Sequence, residues 1–238
     1  ESGADIAGAN GASYTTGLLS SGADPKFSCR VAIPGVEETS RVATVTVIDD
    51  PDPPVVLSAG YMNPVGVAFD EALDPASAET ASNYTVSGVT VTAATLYLEK
   101  YVKLDVSGTP QAGFTVTVNG VTDLAGNAVD NVTVNGYISP MMTQDIADDG
   151  VDPLLEGEAF CFGEGGYYVA GGGHDIWDAA DGFRFAYQEF GGKFDMVARV
   201  ETLEGTHSWA KACLMAREGM DPASRHADIC TTRTGGQN

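Results

Sequence analysis

The chain has 238 residues, with 33 acidic against 12 basic side chains and a formal net charge of −21. Nucleic acid and anionic membrane surfaces are polyanions too, so charge repulsion argues against both as partners. An apolar content of 43% is enough for cores in more than one small domain, and no run of residues is long enough for insertion across a bilayer.

Glu1-Ser-Gly-Ala-Asp5 lacks the basic start and apolar stretch of a signal peptide, so an export signal is expected upstream and the chain reads as a piece of something longer. Tyr14-Thr-Thr16 reads as a strand, Asp24 to Val31 as a corner leading into a strand, and Arg41 to Val47 as a closing strand. On these residues, 1–49 resembles the C-terminal part of an immunoglobulin (Ig)-like sandwich. The resemblance implies a disulfide between Cys29 and an early-strand cysteine, and no such residue precedes Cys29 here. It also places Phe27 where the corner tyrosine usually stands, without that residue's hydroxyl.

Asp49-Asp-Pro-Asp-Pro-Pro54 breaks the strand pattern. Prolines stiffen this stretch and carboxylates keep it solvated, so 50–54 is a linker. Beyond it, Val65-Gly-Val-Ala-Phe69, Val102-Lys-Leu-Asp-Val106 and Phe114-Thr-Val-Thr-Val118 alternate with period two, which predicts strands with one apolar face. Pro75 to Ala81 is the best helical segment, with Asp74 as cap and Pro75 in the first turn. Val116-Thr-Val-Asn-Gly120 recurs as Val132-Thr-Val-Asn-Gly136 around the turn-forming Asp123-Leu-Ala-Gly-Asn127, which predicts a hairpin-like pair of strands. With Asn83-Tyr-Thr-Val86, these motifs make 55–138 resemble a bacterial Ig-like module of the kind found in S-layer proteins.

In the last segment a glycine run, Gly171-Gly-Gly173, precedes the Asp-rich loop from His174 to Asp181 and the alternating Phe183-Arg-Phe-Ala-Tyr187. Trp209 to Met215 follows as a further strand, with Trp209, Cys213 and Met215 on one face. On these residues, 139–238 resembles the N-terminal part of a concanavalin A-like sandwich and stops before such a sandwich is complete. The fold class expected for the whole chain is all-β, as tandem sandwiches.

Asp175, Asp178 and Asp181 lie three apart on a glycine-flanked loop, with Asp145, Asp148 and Asp149 upstream. Hard oxygen donors on loops suit calcium, but the spacing matches no EF-hand or nonapeptide repeat, and in so acidic a chain the duller reading is a solvated loop. His174, His207 and His226 are too scattered for a zinc motif. Ser208-Trp-Ala-Lys211 has Ser-x-x-Lys spacing without the companion motifs of penicillin-binding enzymes. Several families built on the concanavalin A-like fold are glycosidases that use paired carboxylates on one strand. The nearest approaches here, Glu156-Gly-Glu158 and Glu201-Thr-Leu-Glu204, do not have that form.

Sugar rings stack on aromatic faces, so Trp177, Tyr167 and Tyr168, with Trp209 and the Asp loop beside them, are candidates for binding a polysaccharide or extracellular matrix glycan. Phe183, Phe185 and Trp209 are expected instead to fill a core. Four dispersed cysteines do not make a disulfide-dense scaffold; Cys213 reads as a small buried hydrophobe or as a partner of Cys161 or Cys230. The function expected is a non-catalytic segment of a secreted or cell-surface bacterial protein, Ig-like spacers presenting a glycan-binding sandwich. The alternatives are an accessory fragment of a polysaccharide-degrading enzyme, or a filament or surface-layer component that self-associates through strand addition.

Overall fold

The computed structural model describes residues 5–11, 13–17, 19, 22, 24–146, 156–173, 175–177, 179–205 and 207–233. The chain divides into two compact units, Glu1–Asp52 and Pro53–Asn238. Among the described residues the secondary structure is strand, apart from one short α-helix and one 3-10 turn. The chain is all-β.

The first unit contains β1 (Lys26–Phe27), β2 (Arg30–Ile33), β3 (Val36–Thr39) and β4 (Ala43–Thr44), with β1 antiparallel to β4 and β2 antiparallel to β3. Pro34 and Gly35 form the two-residue turn between β2 and β3; Gly35 has φ +86°, the left-handed position that glycine fills without strain. The register puts Val31, Ile33 and Val36 on one face, and they remain 63%, 65% and 55% exposed. On the other face Arg30 reaches Glu37 at 3.5 Å and also pairs with Asp5 at 2.7 Å. The strand expected at Tyr14-Thr-Thr16 is absent, and the one expected over Arg41 to Val47 is reduced to β4. Alternation defines a face, but a strand forms only where a neighbour supplies hydrogen bonds.

The second unit is built on a sandwich. Its strands are β5 (Val56–Tyr61), β6 (Val65–Phe69), β7 (Tyr84–Val86), β8 (Thr90–Tyr97), β9 (Tyr101–Ser107), β10 (Thr115–Val118) and β11 (Val132–Ile138). One run pairs in the order β8-β9-β6-β5 and the other β11-β10-β7; parallel pairing of Ala59 to Tyr61 with Gly136 to Ile138 joins them. Val65, Val67 and Phe69 of β6, Val102 and Leu104 of β9, and Val116 and Val118 of β10 point into a common core and are almost fully buried. The repeated Val-Thr-Val segments pair with each other, Val116 opposite Val134 and Val118 opposite Val132. The predicted helix is α1 (Pro75–Ala78), whose N-cap Asp74 accepts from the Ser77 N–H at 2.9 Å.

The other face of this sheet is covered too. A hairpin of β13 (Glu158–Gly163) and β14 (Gly166–Ala170) lies on it, after β12 (Met142–Ile146). Gly60 of β5 and Gly66 of β6 stand opposite each other in register, and β13 passes over the notch they leave. A methyl group at Gly66 would sit 2.5 Å from the Cys161 carbonyl oxygen, and one at Gly60 would sit 2.6 Å from the Cys161 sulfur. The Ser58 hydroxyl donates to the Phe162 carbonyl at 2.5 Å beside the notch. Over the neighbouring strands the contact is aromatic. Phe160 packs 5.3 Å from Tyr97 and stacks on Tyr168 at 4.9 Å, and Phe162 lies 4.4 Å from Tyr101.

The remaining strands form three two-stranded ribbons: β12 with β17 (Phe183–Tyr187), β15 (Ile176–Trp177) with β16 (Ala180–Asp181), and β18 (Lys211–Arg217) with β19 (His226–Thr232).

Candidate functional site

The two described aspartates of the expected calcium loop are engaged by cations of the protein itself. Asp175 precedes β15 and pairs with Lys211 at the start of β18, while its Oδ1 accepts from the Ile176 N–H at 2.7 Å. Asp181 ends β16, and only 3% of it is exposed. Its Oδ2 meets Arg217 Nη1 at 3.0 Å and His226 Nδ1 at 3.3 Å. The Arg217 side chain is 1% exposed; it donates also to the Gly219 and Asp221 carbonyls and lies over the Phe183 ring at 5.3 Å. A buried ion pair satisfied in this way is costly to break from one side, because the remaining charge has no solvent. Asp145 on β12 binds Arg184 at 3.0 Å and the Gly157 N–H at 3.1 Å. Asp178, Asp148, Asp149 and His174 lie outside the described residues.

The aromatic candidates separate. Tyr167 and Tyr168 are adjacent on β14 and therefore face opposite ways. The Tyr168 ring belongs to the hairpin interface with Phe160 and Tyr97, and the Tyr167 hydroxyl lies 3.2 Å from that of Ser139, beside a small core of Met62, Ala159 and Cys161. Both are half-buried. Trp177 is 69% exposed on β15. Trp209, expected in a core, instead occupies a turn before β18 and is 54% exposed; its own N–H bonds to His207 Nδ1 at 3.1 Å. The strand begins two residues later than its alternation implies, because pairing with β19 starts at Lys211 opposite Thr232. Phe183, Phe185 and Tyr187 form a half-buried stripe along β17 with ring centroids 5.5 and 5.4 Å apart.

Two of the four carboxylates weighed for glycosidase chemistry, Glu158 and Glu201, have partners within the protein. Glu158 on β13 is held by the Tyr97 hydroxyl and by Lys103, which tie the hairpin to β8 and β9. Glu201 pairs with Arg199. Burial pushes the Glu158 carboxyl up, but the hydrogen bonds from Lys103 and Tyr97 outweigh it and hold the group below its ordinary range. The Tyr97 hydroxyl is pushed up, first by burial and then by that carboxylate. Sequence reading missed this junction, since Tyr97, Lys103 and Glu158 belong to separate segments. It took Asp123 only as a turn residue, and the side chain is 2% exposed in the turn between β10 and β11. Burial raises the Asp123 carboxyl, and bonds from the Asn127 side chain and the backbone N–H groups of Asn127 and Gly126 more than reverse that.

A carboxyl whose pKa is depressed by folding contributes stability above its unfolded value, and that contribution disappears as pH falls through the folded value. Acid unfolding of the second unit is therefore expected to begin below about pH 4, where ordinary carboxylates titrate. Glu158→Gln and Asp123→Asn should each flatten the acid limb of a stability-versus-pH curve measured by urea unfolding. An unchanged limb in both would remove these two groups as its source.

Cys213 and Cys230, opposite each other in β18 and β19, form a disulfide, which settles the choice of partner left open for Cys213. Cys161 is a buried free thiol and Cys29 an exposed one. No helix is long and apolar enough to cross a membrane among the described residues.

No protein-family model and no curated protein matches the chain. Among solved structures it is similar to the N-terminal part of the bacterial S-layer protein SbsC, with a TM-score of 0.35 and 13% identity over 78% of this chain and 42% of that one. It is also similar to the S-layer protein rSbsC(31-844), with a TM-score of 0.36 and 11% identity, and to domains 1-6 of SbsC, with 0.36 and 12%. Each of these matches covers 78% of this chain and 33% of the other. The chain thus spans less than half the length of these structures, and likeness at this level assigns no function.

Proposed function

We propose that the chain is a non-catalytic structural segment of a secreted or cell-surface bacterial protein, in which Ig-like modules at 1–49 and 55–138 act as spacers for a partial concanavalin A-like region at 139–238. One observation carries this reading: four of the carboxylates that the sequence offers as ligands or catalysts are engaged in holding segments of the fold together. Asp175 binds Lys211, Asp181 binds Arg217, Asp145 binds Arg184, and Glu158 binds Lys103. The acidic surface keeps such a segment soluble outside the cell.

A second reading, display of a glycan-binding surface, is favoured by the exposure of Trp177 and Trp209. Calcium at the Asp175 loop belongs to that reading and would have to compete with Lys211. The test is a glycan array followed by calorimetry with and without millimolar calcium, on the wild type and on Trp177→Ala. A structural segment gives neither binding nor hydrolysis. Binding that Trp177→Ala abolishes would replace the first reading with the second, and release of reducing sugar would establish the accessory-enzyme alternative.

A further inference from the structure

From Gln188 to Thr202 every residue is exposed and none is in a strand, although this stretch carries large apolar side chains. Val197 is 95% exposed, Val200 46%, Phe194 45% and Met196 43%. Phe194, Met196, Ala198 and Val200 share one parity, while Lys193, Asp195, Val197, Arg199 and Glu201 share the other, so an extended backbone would have an apolar face and a charged face. The side chains already follow this pattern. Arg199 pairs with Glu201 two residues on, and Phe190 stacks on Phe194 at 5.5 Å along the apolar side.

The segment is also complementary to itself. Laid antiparallel to an identical copy with Val197 opposite Val197, it sets Lys193 against Glu201, Asp195 against Arg199, Phe194 against Val200 and Met196 against Ala198. Every charge meets its opposite and every apolar side chain another apolar one. Opposite charges directly across an antiparallel pair stabilise it, and like charges weaken it. We infer that Lys193 to Glu201 forms an intermolecular β-strand with a second copy of this chain, in a two-fold ribbon that pairs one edge of each backbone. The inference deepens the structural-component reading and rests on it. Each copy carries a net charge of −21, so long-range repulsion opposes contact and added salt favours it.

The experiment is sedimentation equilibrium of the full chain from low micromolar to several hundred micromolar, at physiological and higher salt. The expected result is a monomer–dimer equilibrium that tightens with salt. Asp195→Arg and Arg199→Asp should each weaken it about tenfold or more, since each places like charges opposite one another twice per dimer. Mixing the two variants should restore it. The arginine introduced in one copy then faces the aspartate introduced in the other, and the unchanged Arg199 of the first faces the unchanged Asp195 of the second. All of these positions are exposed, so the fold of the monomer is untouched. A chain that stays monomeric throughout, or a dimer indifferent to both reversals, would overturn the proposal. The second outcome removes only this strand and leaves the structural reading standing, whereas a monomer that binds glycan would remove both.

Discussion

Replacing Gly66 by valine is expected to undock the β13–β14 hairpin and destabilise the second unit by about 3 kcal/mol, a fall of roughly 6–12 °C in Tm for a unit of this size. The first added carbon would already lie 2.5 Å from the Cys161 carbonyl oxygen and 2.6 Å from Cδ2 of the Phe160 ring. Neither neighbour can give way easily. The carbonyl belongs to the backbone of β13, and the ring is held against Tyr97 and Tyr168. Gly66→Ala should cost less, and Leu57→Ala, at a 58% exposed position on β5, very little. Thermal unfolding gives the magnitude, and amide exchange over 158–170 shows whether the loss is local to the hairpin. A valine variant as stable and as protected as the wild type would show that β13 does not occupy the notch.

Reducing the Cys213–Cys230 disulfide should have the next largest effect. The bridge links residues 17 apart in sequence, and the loop-closure entropy it removes from the unfolded chain corresponds to about 3 kcal/mol. It crosses the β18–β19 ribbon one pair from its centre, between the ends that bring Lys211 to Asp175 and Arg217 and His226 to Asp181. Loss of the bridge should therefore loosen β15 and β16 together with the ribbon. The double variant Cys213→Ala with Cys230→Ala, compared with the wild type in the presence and absence of reductant, isolates this bridge, because Cys29 and Cys161 are free thiols. Equal denaturation midpoints for wild type and variant under oxidising conditions would overturn the expectation.

Sequence alone determined that several segments of the sandwich are strands, and which of their faces is apolar. The alternation of Val65 to Phe69, Val102 to Val106 and Phe114 to Val118 is a local property of the chain, and all three segments form strands with their valines, phenylalanines and leucine in one core. Asp74 and Pro75 likewise fixed the start of the helix, because a cap needs only its own next turn. What the tertiary structure decided is everything that depends on a partner distant in sequence. Gly66 and Ala68 read as the outer face of a half-covered strand, yet β6 is buried on both sides because a hairpin about a hundred residues later lies over Gly60 and Gly66. Asp181 reads as a calcium ligand or a solvated-loop residue and Glu158 as part of an imperfect glycosidase pair, and the fold gives them Arg217 and Lys103. Trp209 reads as a core residue and lies in an exposed turn, since the position where β19 begins to pair sets the start of its strand. A local pattern specifies a face, while burial, ion pairing and the state of an aspartate or an aromatic ring are set by whichever segment folds back against it.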